Sequence, residues 1–195
     1  SDDKIRGSIN IKPFFIKTNL KIFQLELKEI FKENSVLVNF LKSEVLNNKN
    51  LNGKITISAN KLKGLNFFDK FKFDILFEEG DIFIKDLTTS FKDSVQISLK
   101  NTQLIVDNNK LQFAGYISLD FIDVTEFYTH YQINRNYRKN LKKINFGFLL
   151  NLDDQFIEID NLKVNGDTIQ SLEKFINKFN SKKEDVFNKI IVRNS

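Results

Sequence analysis

The chain contains no cysteine, no methionine and no tryptophan, and only one proline and one histidine among its 195 residues. Without cysteine, a disulfide framework and a thiolate nucleophile are excluded. No run of apolar residues exceeds three, which excludes a membrane-spanning helix within this chain. Because no start methionine is present, we expect the chain to be a fragment of a longer or processed protein, with any anchor or signal peptide outside it.

The residues that common enzyme sites require are also scarce. No two of the seven glycines lie within ten residues of each other, which excludes the Rossmann and Walker phosphate-binding loops. The single histidine, His130, has no cysteine partner for zinc and no serine-nucleophile motif, so we interpret it as a packing or surface residue. The acidic clusters at 78–81 and 153–154 fall in predicted turns and lack calcium-loop spacing. We therefore predict a non-enzymatic protein without cofactor or metal.

The strongest positive signal is an alternation of apolar and polar residues with a period of two. Successive side chains on a strand point to opposite faces, so this alternation predicts strands with one apolar and one polar face. One-sided strands of this kind are typical of antiparallel sheets. The pattern is found in five segments: 54–59, 71–77, 95–100, 111–121 and 144–152.

Short polar turns connect these predicted strands. They contain the sequences at 78–81, 92–94, 107–109 and 153–155, which are of hairpin length. Between Leu65 and Phe121 no segment has a helical pattern long enough for a crossover helix. This absence disfavours a doubly wound α/β fold. We expect a meander.

Helical patterns are predicted in three regions. The segment 24–46 has the pattern of a helical hairpin, made of 24–34 and 35–46, inserted before a strand. Asp123 is placed to cap a short helix that carries apolar residues at positions i, i+3, i+4 and i+7, namely Val124, Phe127, Tyr128 and Tyr131. A C-terminal helical segment is predicted at 167–195, with Asp167 or Thr168 as its cap.

The net charge of +5 comes from a single basic segment, 134–143. It contains five basic residues: Arg135, Arg138, Lys139, Lys142 and Lys143. The remaining 25 basic residues balance the 25 acidic ones, and no acidic residue occurs from Phe127 to Leu152. Three interpretations fit: a solvated loop, contact with an anionic membrane surface at ~1 kcal/mol for each basic residue, or nucleic-acid binding. No nucleic-acid-binding motif accompanies the segment, so we do not expect a nucleic-acid partner.

Four consecutive stretches together resemble the AsmA-like superfamily of bacterial envelope proteins. A helical segment and glycine at 30–53 precede an alternating strand at 54–62. A strand, an acidic glycine turn and a returning strand follow at 71–87, and 111–133 ends the meander in a short aromatic helix. The resemblance is to the C-terminal part of the periplasmic region and covers nearly the whole chain. It implies a periplasmic protein, anchored to the inner membrane through a segment outside this chain, that handles phospholipid.

The predicted fold is mainly β in an α+β arrangement, a single domain over 1–195. We expect a curled antiparallel meander sheet whose apolar face forms a groove or half-barrel flanked by short helices. The candidate groove residues for lipid are Phe71, Phe73, Ile75, Phe77, Ile97, Leu99, Phe113, Ile117, Leu119, Phe146, Phe148 and Leu150. The five basic residues of 134–143 are the candidates for membrane-surface contact.

The alternation of apolar and polar residues does not distinguish an open groove from a closed core, because both arrangements place the same residues on one face of the sheet. The expected function is lipid binding or transfer between the inner and outer membranes. The alternative is a structural or assembly module of the envelope, in which the apolar face packs on the parent chain or on a partner protein.

Overall fold

The computed structural model describes residues 3–26, 48–107, 110–151 and 156–169, and single residues at 32, 35, 38, 39, 42, 43, 172, 176, 177 and 180. The described residues form one open sheet of ten strands, which neighbour each other in chain order. The fold is thus mainly β, as the alternation predicts.

The strands are numbered in chain order: β1 Lys4–Ile11, β2 Phe14–Leu25, β3 Asn52–Leu62, β4 Phe68–Glu78, β5 Asp81–Phe91, β6 Val95–Asp107, β7 Lys110–Phe121, β8 Lys143–Asn151, β9 Phe156–Val164 and β10 Asp167–Thr168. All neighbours pair antiparallel except β2 and β3, which pair parallel. The sheet is therefore mixed, whereas the sequence predicts an antiparallel meander. The physical reason is the long connection 26–51, because parallel neighbours need a crossover rather than a tight turn.

In four strands the apolar side chains change from odd-numbered to even-numbered positions, or the reverse. A residue with a left-handed backbone conformation at each change keeps the apolar side chains on one face of the sheet. Each of four strands contains one such residue with φ between 49° and 56°: Lys70, Asp86, Asn101 and Asn161. On β6 the apolar face carries odd-numbered residues up to Leu99 and even-numbered residues from Thr102 onwards, and the pairing with β7 shifts between Lys100 and Gln103. An extra residue of this kind is a β-bulge, which returns the following side chains to the same face.

The main core lies on this face, over the middle strands. Phe73, Ile75 and Leu111 are the most deeply buried large side chains of these strands, with exposures of 2% or less. Val38 belongs to the same cluster, although it comes from the connection between β2 and β3. This connection therefore contributes to covering the apolar face.

The helix predicted after Asp123 is confirmed. Helix α1 spans Val124–His130, and the Asp123 carboxylate accepts hydrogen bonds from the N–H groups of Thr125 (2.9 Å) and Glu126 (3.3 Å). These bonds satisfy donors that have no partner within the helix. A single 3₁₀ turn, Arg135–Tyr137, follows it. Among the described residues, α1 is the only α-helix whose two ends are defined, and none is long and apolar enough to cross a membrane.

The other helical predictions need correction at their ends. In 24–46, Gln24 and Leu25 belong to β2, because their pairing with β3 continues to the end of that strand. Val38 and Asn39 are helical, and Ser35 Oγ accepts a hydrogen bond from the Val38 N–H (3.1 Å); most of this segment lies outside the described residues. Asp167 and Thr168 were predicted as caps but form β10 after the turn at 165–166. Residues 181–195 also lie outside the described part.

Candidate functional site

All twelve candidate groove residues lie on the apolar face of the sheet. The pairing register connects them strand by strand: Phe73 lies opposite Ile57, Ile117 lies opposite Phe146, and Phe113 lies opposite Leu150. The sequence pattern therefore placed them on the correct face. Their burial divides them into two groups of six.

The first group is packed into the main core. It consists of Phe71, Phe73, Ile75, Phe77, Phe113 and Phe148. Phe73 is 1% exposed, and the Phe113 and Phe148 rings meet edge to face with their centroids 5.2 Å apart. These side chains are core residues in this structure, and a ligand would reach them only if the covering residues moved.

The second group is half-buried: Ile97, Leu99, Ile117, Leu119, Phe146 and Leu150. Five of these six are neighbours in two rows across the sheet. Ile97 and Leu119 share a row with Ile144 and Val164, and Leu99 and Ile117 share the next row with Phe146. We call this set the apolar strip: Ile97, Leu99, Ile117, Leu119, Ile144, Phe146 and Val164. It spans three strand spacings, roughly 14 Å.

Two members of the apolar strip were missing from the predicted set. Ile144 follows the alternation of β8 and could have been included on the sequence alone. Val164 was hidden by the bulge at Asn161, which changes the parity of β9 between Ile159 and Val164. In the sequence, the apolar residues of this strand change from odd-numbered to even-numbered positions next to an asparagine, and this change could have identified Val164.

A packed aromatic cluster bounds the apolar strip on the side of α1. Phe91 is 3% exposed and lies at its centre. Its ring meets those of Phe127 (6.3 Å between centroids), His130 (5.0 Å) and Tyr131 (5.9 Å). The His130 ring also meets Phe67 at 4.4 Å. His130 therefore lies among aromatic rings, as the packing interpretation requires, and burial raises the pKa of Tyr131.

The basic segment 134–143 contains two anchored basic residues. Arg138 donates from Nε to the Ile133 carbonyl (2.9 Å), and its guanidinium lies 5.9 Å from the centre of the Tyr128 ring. Lys143 begins β8, and its ammonium lies 2.9 Å from Asp120 Oδ1. The Arg138 contacts hold the segment against α1 and the residues that follow it, and the Lys143 contact holds it against the sheet, so neither side chain is a freely placed surface charge.

The other three basic residues of the segment, Arg135, Lys139 and Lys142, are exposed. Tyr137, in the 3₁₀ turn between them, is 76% exposed. The backbone at Lys139 is fixed by the Tyr128 hydroxyl, which donates to the Lys139 carbonyl at 2.6 Å. Because Lys142 is two residues from Ile144, positive charge lies at the end of the apolar strip.

The polar face of the sheet carries two open clefts that the sequence did not predict. Their volumes are about 570 Å³ and 460 Å³, and both are lined by Asn101 and Gln103, at the bulge of β6. The first cleft is lined by charged residues of both signs, including Lys85 and Asp86, and the second is lined by the acidic residues Glu158 and Asp160. Among the residues that the structure describes, no three His, Asp or Glu side chains are grouped to hold a metal ion.

One carboxylate on the polar face is buried. Asp74 is 2% exposed and forms an ion pair with Lys54, through Oδ2. Burial alone would raise the pKa of Asp74, but hydrogen bonds from Lys54 and Thr56 outweigh it, and the pKa lies below its ordinary value. Asp74 therefore stays ionised at neutral pH and contributes to the pairing of β3 with β4.

Comparison with protein-family models, with curated proteins and with solved structures gives no match for this chain.

Proposed function

We propose that this chain is a non-enzymatic lipid-binding domain of the bacterial envelope, of AsmA-like type, in which the apolar strip receives the acyl chains of a phospholipid. On this proposal the domain lies in the periplasm and takes part in moving phospholipid between the inner and outer membranes. The observation that carries the proposal is the partial exposure of seven neighbouring apolar side chains between two packed regions.

The apolar strip leaves part of its surface in contact with water. A soluble protein gains free energy by covering contiguous apolar surface, and each methylene buried against it contributes ~0.8 kcal/mol. An acyl chain is long and flexible enough to cover both rows, from Ile97 to Val164. A small polar ligand would not use this surface.

The charge of the basic segment supports a ligand with an anionic headgroup. Arg135, Lys139 and Lys142 are exposed in this segment, which leads into β8 beside the strip, and each basic residue near an anionic surface contributes ~1 kcal/mol. Acyl chains on the strip and a phosphate beside the basic segment would use both features together.

The first experiment separates the strip from the core. We expect Ile97→Lys and Leu119→Lys to remove co-purifying phospholipid, measured by mass spectrometry of the intact protein, while circular dichroism stays that of the wild type. Gln96→Lys is the matched control, because Gln96 neighbours Ile97 but lies exposed on the polar face. Phe73→Asp should instead unfold the domain, since Phe73 is 1% exposed. Wild-type protein that binds no phospholipid would contradict the proposal.

The second experiment tests the basic segment with vesicles of phosphatidylglycerol and phosphatidylcholine. We expect the triple variant R135Q/K139Q/K142Q to lose most of its binding to the anionic vesicles, with a weaker dependence on salt. The matched control is K17Q/K21Q/K61Q, which removes the same charge from exposed positions of β2 and β3. Equal losses in both variants would mean that net charge, rather than the segment, attracts the vesicles.

A second function, a structural or assembly module, is favoured by β1. All eight residues of β1 are exposed, including three isoleucines that extend the apolar face. In this case a protein partner covers the face. Substitutions in β1 would then abolish assembly, and the wild-type chain would carry no phospholipid for substitutions in the apolar strip to remove.

A further inference from the structure

The connection between β7 and β8, residues 122–142, exposes large apolar and basic side chains together. Three of its large side chains are exposed: Ile122 (72%), Tyr131 (44%) and Tyr137 (76%). The exposed basic residues of the basic segment lie in the same connection, and no acidic residue follows Glu126 within it. Because the connection joins the end of β7 to the start of β8, these side chains lie at one end of the sheet.

The backbone of the basic segment is fixed by side chains outside it. Asn165 Oδ1 accepts hydrogen bonds from the N–H groups of Lys142 (2.8 Å) and Lys143 (3.0 Å), and its Nδ2 donates to the Asn140 carbonyl (2.8 Å). The Tyr128 hydroxyl fixes the segment nearer its start. A backbone held in this way presents its exposed side chains to a partner with little further loss of conformational entropy.

The arrangement of these side chains fits an extended anionic surface better than a small anion. Neither of the two clefts described above includes a residue of the basic segment, and its exposed charges are spread over positions 135, 139 and 142. Tyrosine is enriched at the interface between lipid headgroups and acyl chains, because its ring is apolar and its hydroxyl is polar. Spread basic residues around an exposed tyrosine therefore match a bilayer surface that contains anionic lipid.

We propose that this end of the sheet docks on an anionic lipid bilayer, with the Tyr137 ring inserted among the headgroups and with Arg135, Lys139 and Lys142 beside the phosphates. The inference rests on the proposed function, since docking brings the apolar strip next to the bilayer from which it would take phospholipid. Lys142 is two residues from Ile144 of the strip, so the docked end and the strip are continuous along the chain. A nucleic acid or an acidic protein would use the charges but would not place Tyr137 in an apolar layer.

Tryptophan fluorescence tests the insertion directly, since the chain has no tryptophan of its own. In Tyr137→Trp we expect vesicles of phosphatidylglycerol and phosphatidylcholine to shift the emission to shorter wavelength, and brominated acyl chains in the same vesicles to quench it. Tyr116→Trp is the matched control, because Tyr116 is 48% exposed in the middle of β7, away from the proposed contact. Unchanged emission from Tyr137→Trp, or an equal shift in both variants, would overturn the proposal.

A second pair of variants separates the ring from the charges. We expect Tyr137→Ser to weaken binding to the same vesicles roughly fivefold at both low and moderate salt, because salt does not screen the burial of an apolar ring. The triple variant R135Q/K139Q/K142Q should weaken binding mainly at low salt. Tyr116→Ser is the control for the first variant, and circular dichroism checks that each variant folds. Vesicle binding by Tyr137→Ser that equals that of the wild type would overturn the insertion.

Competition with a short DNA duplex and with polyglutamate tests the other anionic partners. Tighter binding to either one than to the vesicles would overturn the proposal.

The docking and the proposed function fail in different measurements. Ile97→Lys and Leu119→Lys, each combined with Tyr137→Trp, should lose co-purifying phospholipid and keep the emission shift. An emission shift in a chain whose wild type carries no phospholipid would support the docking and contradict the proposed function. Co-purifying phospholipid without an emission shift would overturn the docking and leave the proposed function supported.

Discussion

Asp120 and Lys143 lie opposite each other on β7 and β8, and the Lys143 ammonium is 2.9 Å from Asp120 Oδ1. The second carboxylate oxygen accepts a hydrogen bond from the Ser118 hydroxyl (3.0 Å). Burial acts to raise the pKa of Asp120, but the bonds from Lys143 and Ser118 outweigh it, so the pKa is lowered. This pair joins the end of the basic segment to the sheet beside the apolar strip.

We expect the ion pair to contribute a small, pH-dependent stability. Both side chains are partly exposed, so the coupling in a double-mutant cycle of D120N and K143Q should be about 0.5 kcal/mol near neutral pH. Because the folded pKa of Asp120 lies below the unfolded value of about 3.9, this contribution is present above that pH and is lost as the pH falls through the folded pKa. Urea unfolding at neutral and acidic pH measures it. Coupling that does not change with pH would contradict this account.

The buried carboxylate of Asp74 gives a larger effect. Lys54→Met removes its ionic partner while Asp74 Oδ1 already has no hydrogen-bond partner among the described residues. We expect a loss of about 2 kcal/mol in the free energy of unfolding and an acid-unfolding midpoint at higher pH, since the pKa of Asp74 rises without the lysine. Lys72→Met is the control, because Lys72 acts on Asp74 only at longer range. Equal losses for the two variants would assign the effect to net charge.

The contact between Gly115 and Thr102 should make Gly115 intolerant of a side chain. A β-carbon at Gly115 would overlap the Thr102 methyl group and lie 3.1 Å from its Cα. We expect Gly115→Ala to cost about 2 kcal/mol, measured by thermal or urea unfolding. Thr102→Ser in the same chain should recover part of this loss, because it removes the methyl group and keeps the hydroxyl that donates to the Ile84 carbonyl.

Gly147 provides the comparison on the polar face. Its added β-carbon would overlap the Asp160 carboxylate, which ends an exposed side chain and can rotate away. Gly147→Ala should therefore cost clearly less than Gly115→Ala. The reverse order would show that the contact with Thr102 does not determine the need for glycine at 115.

Asn180 should protect the edge of β9. We expect Asn180→Ala to expose the Ile159 amide to solvent and to increase its hydrogen-exchange rate, because the side chain accepts the bond from that N–H. The expected loss of stability is about 1 kcal/mol. Asn177→Ala is the control, since Asn177 is exposed. Unchanged exchange at Ile159 would mean that the amide is protected by another group.

Much of the fold could be predicted because the alternation of apolar and polar residues along each strand is a local pattern in the sequence. The odd-numbered apolar residues from Phe71 to Phe77 lie on one face, as predicted, since side chains on a strand alternate with a period of two. Asp123 caps α1 for an equally local reason. The parallel pairing of β2 with β3 was missed because it depends on the path of 26–51, which short-range patterns do not encode.

The sequence predicted which face of the sheet holds the candidate site, but not which residues of that face remain accessible. The sequence by itself determined which side chains share the apolar face, because that follows from strand periodicity. Only the tertiary structure decided that Phe73 is covered while Ile97 remains partly exposed. Burial depends on which distant segments pack against the sheet, as Val38 does at one end and the aromatic rings around Phe91 do at the other.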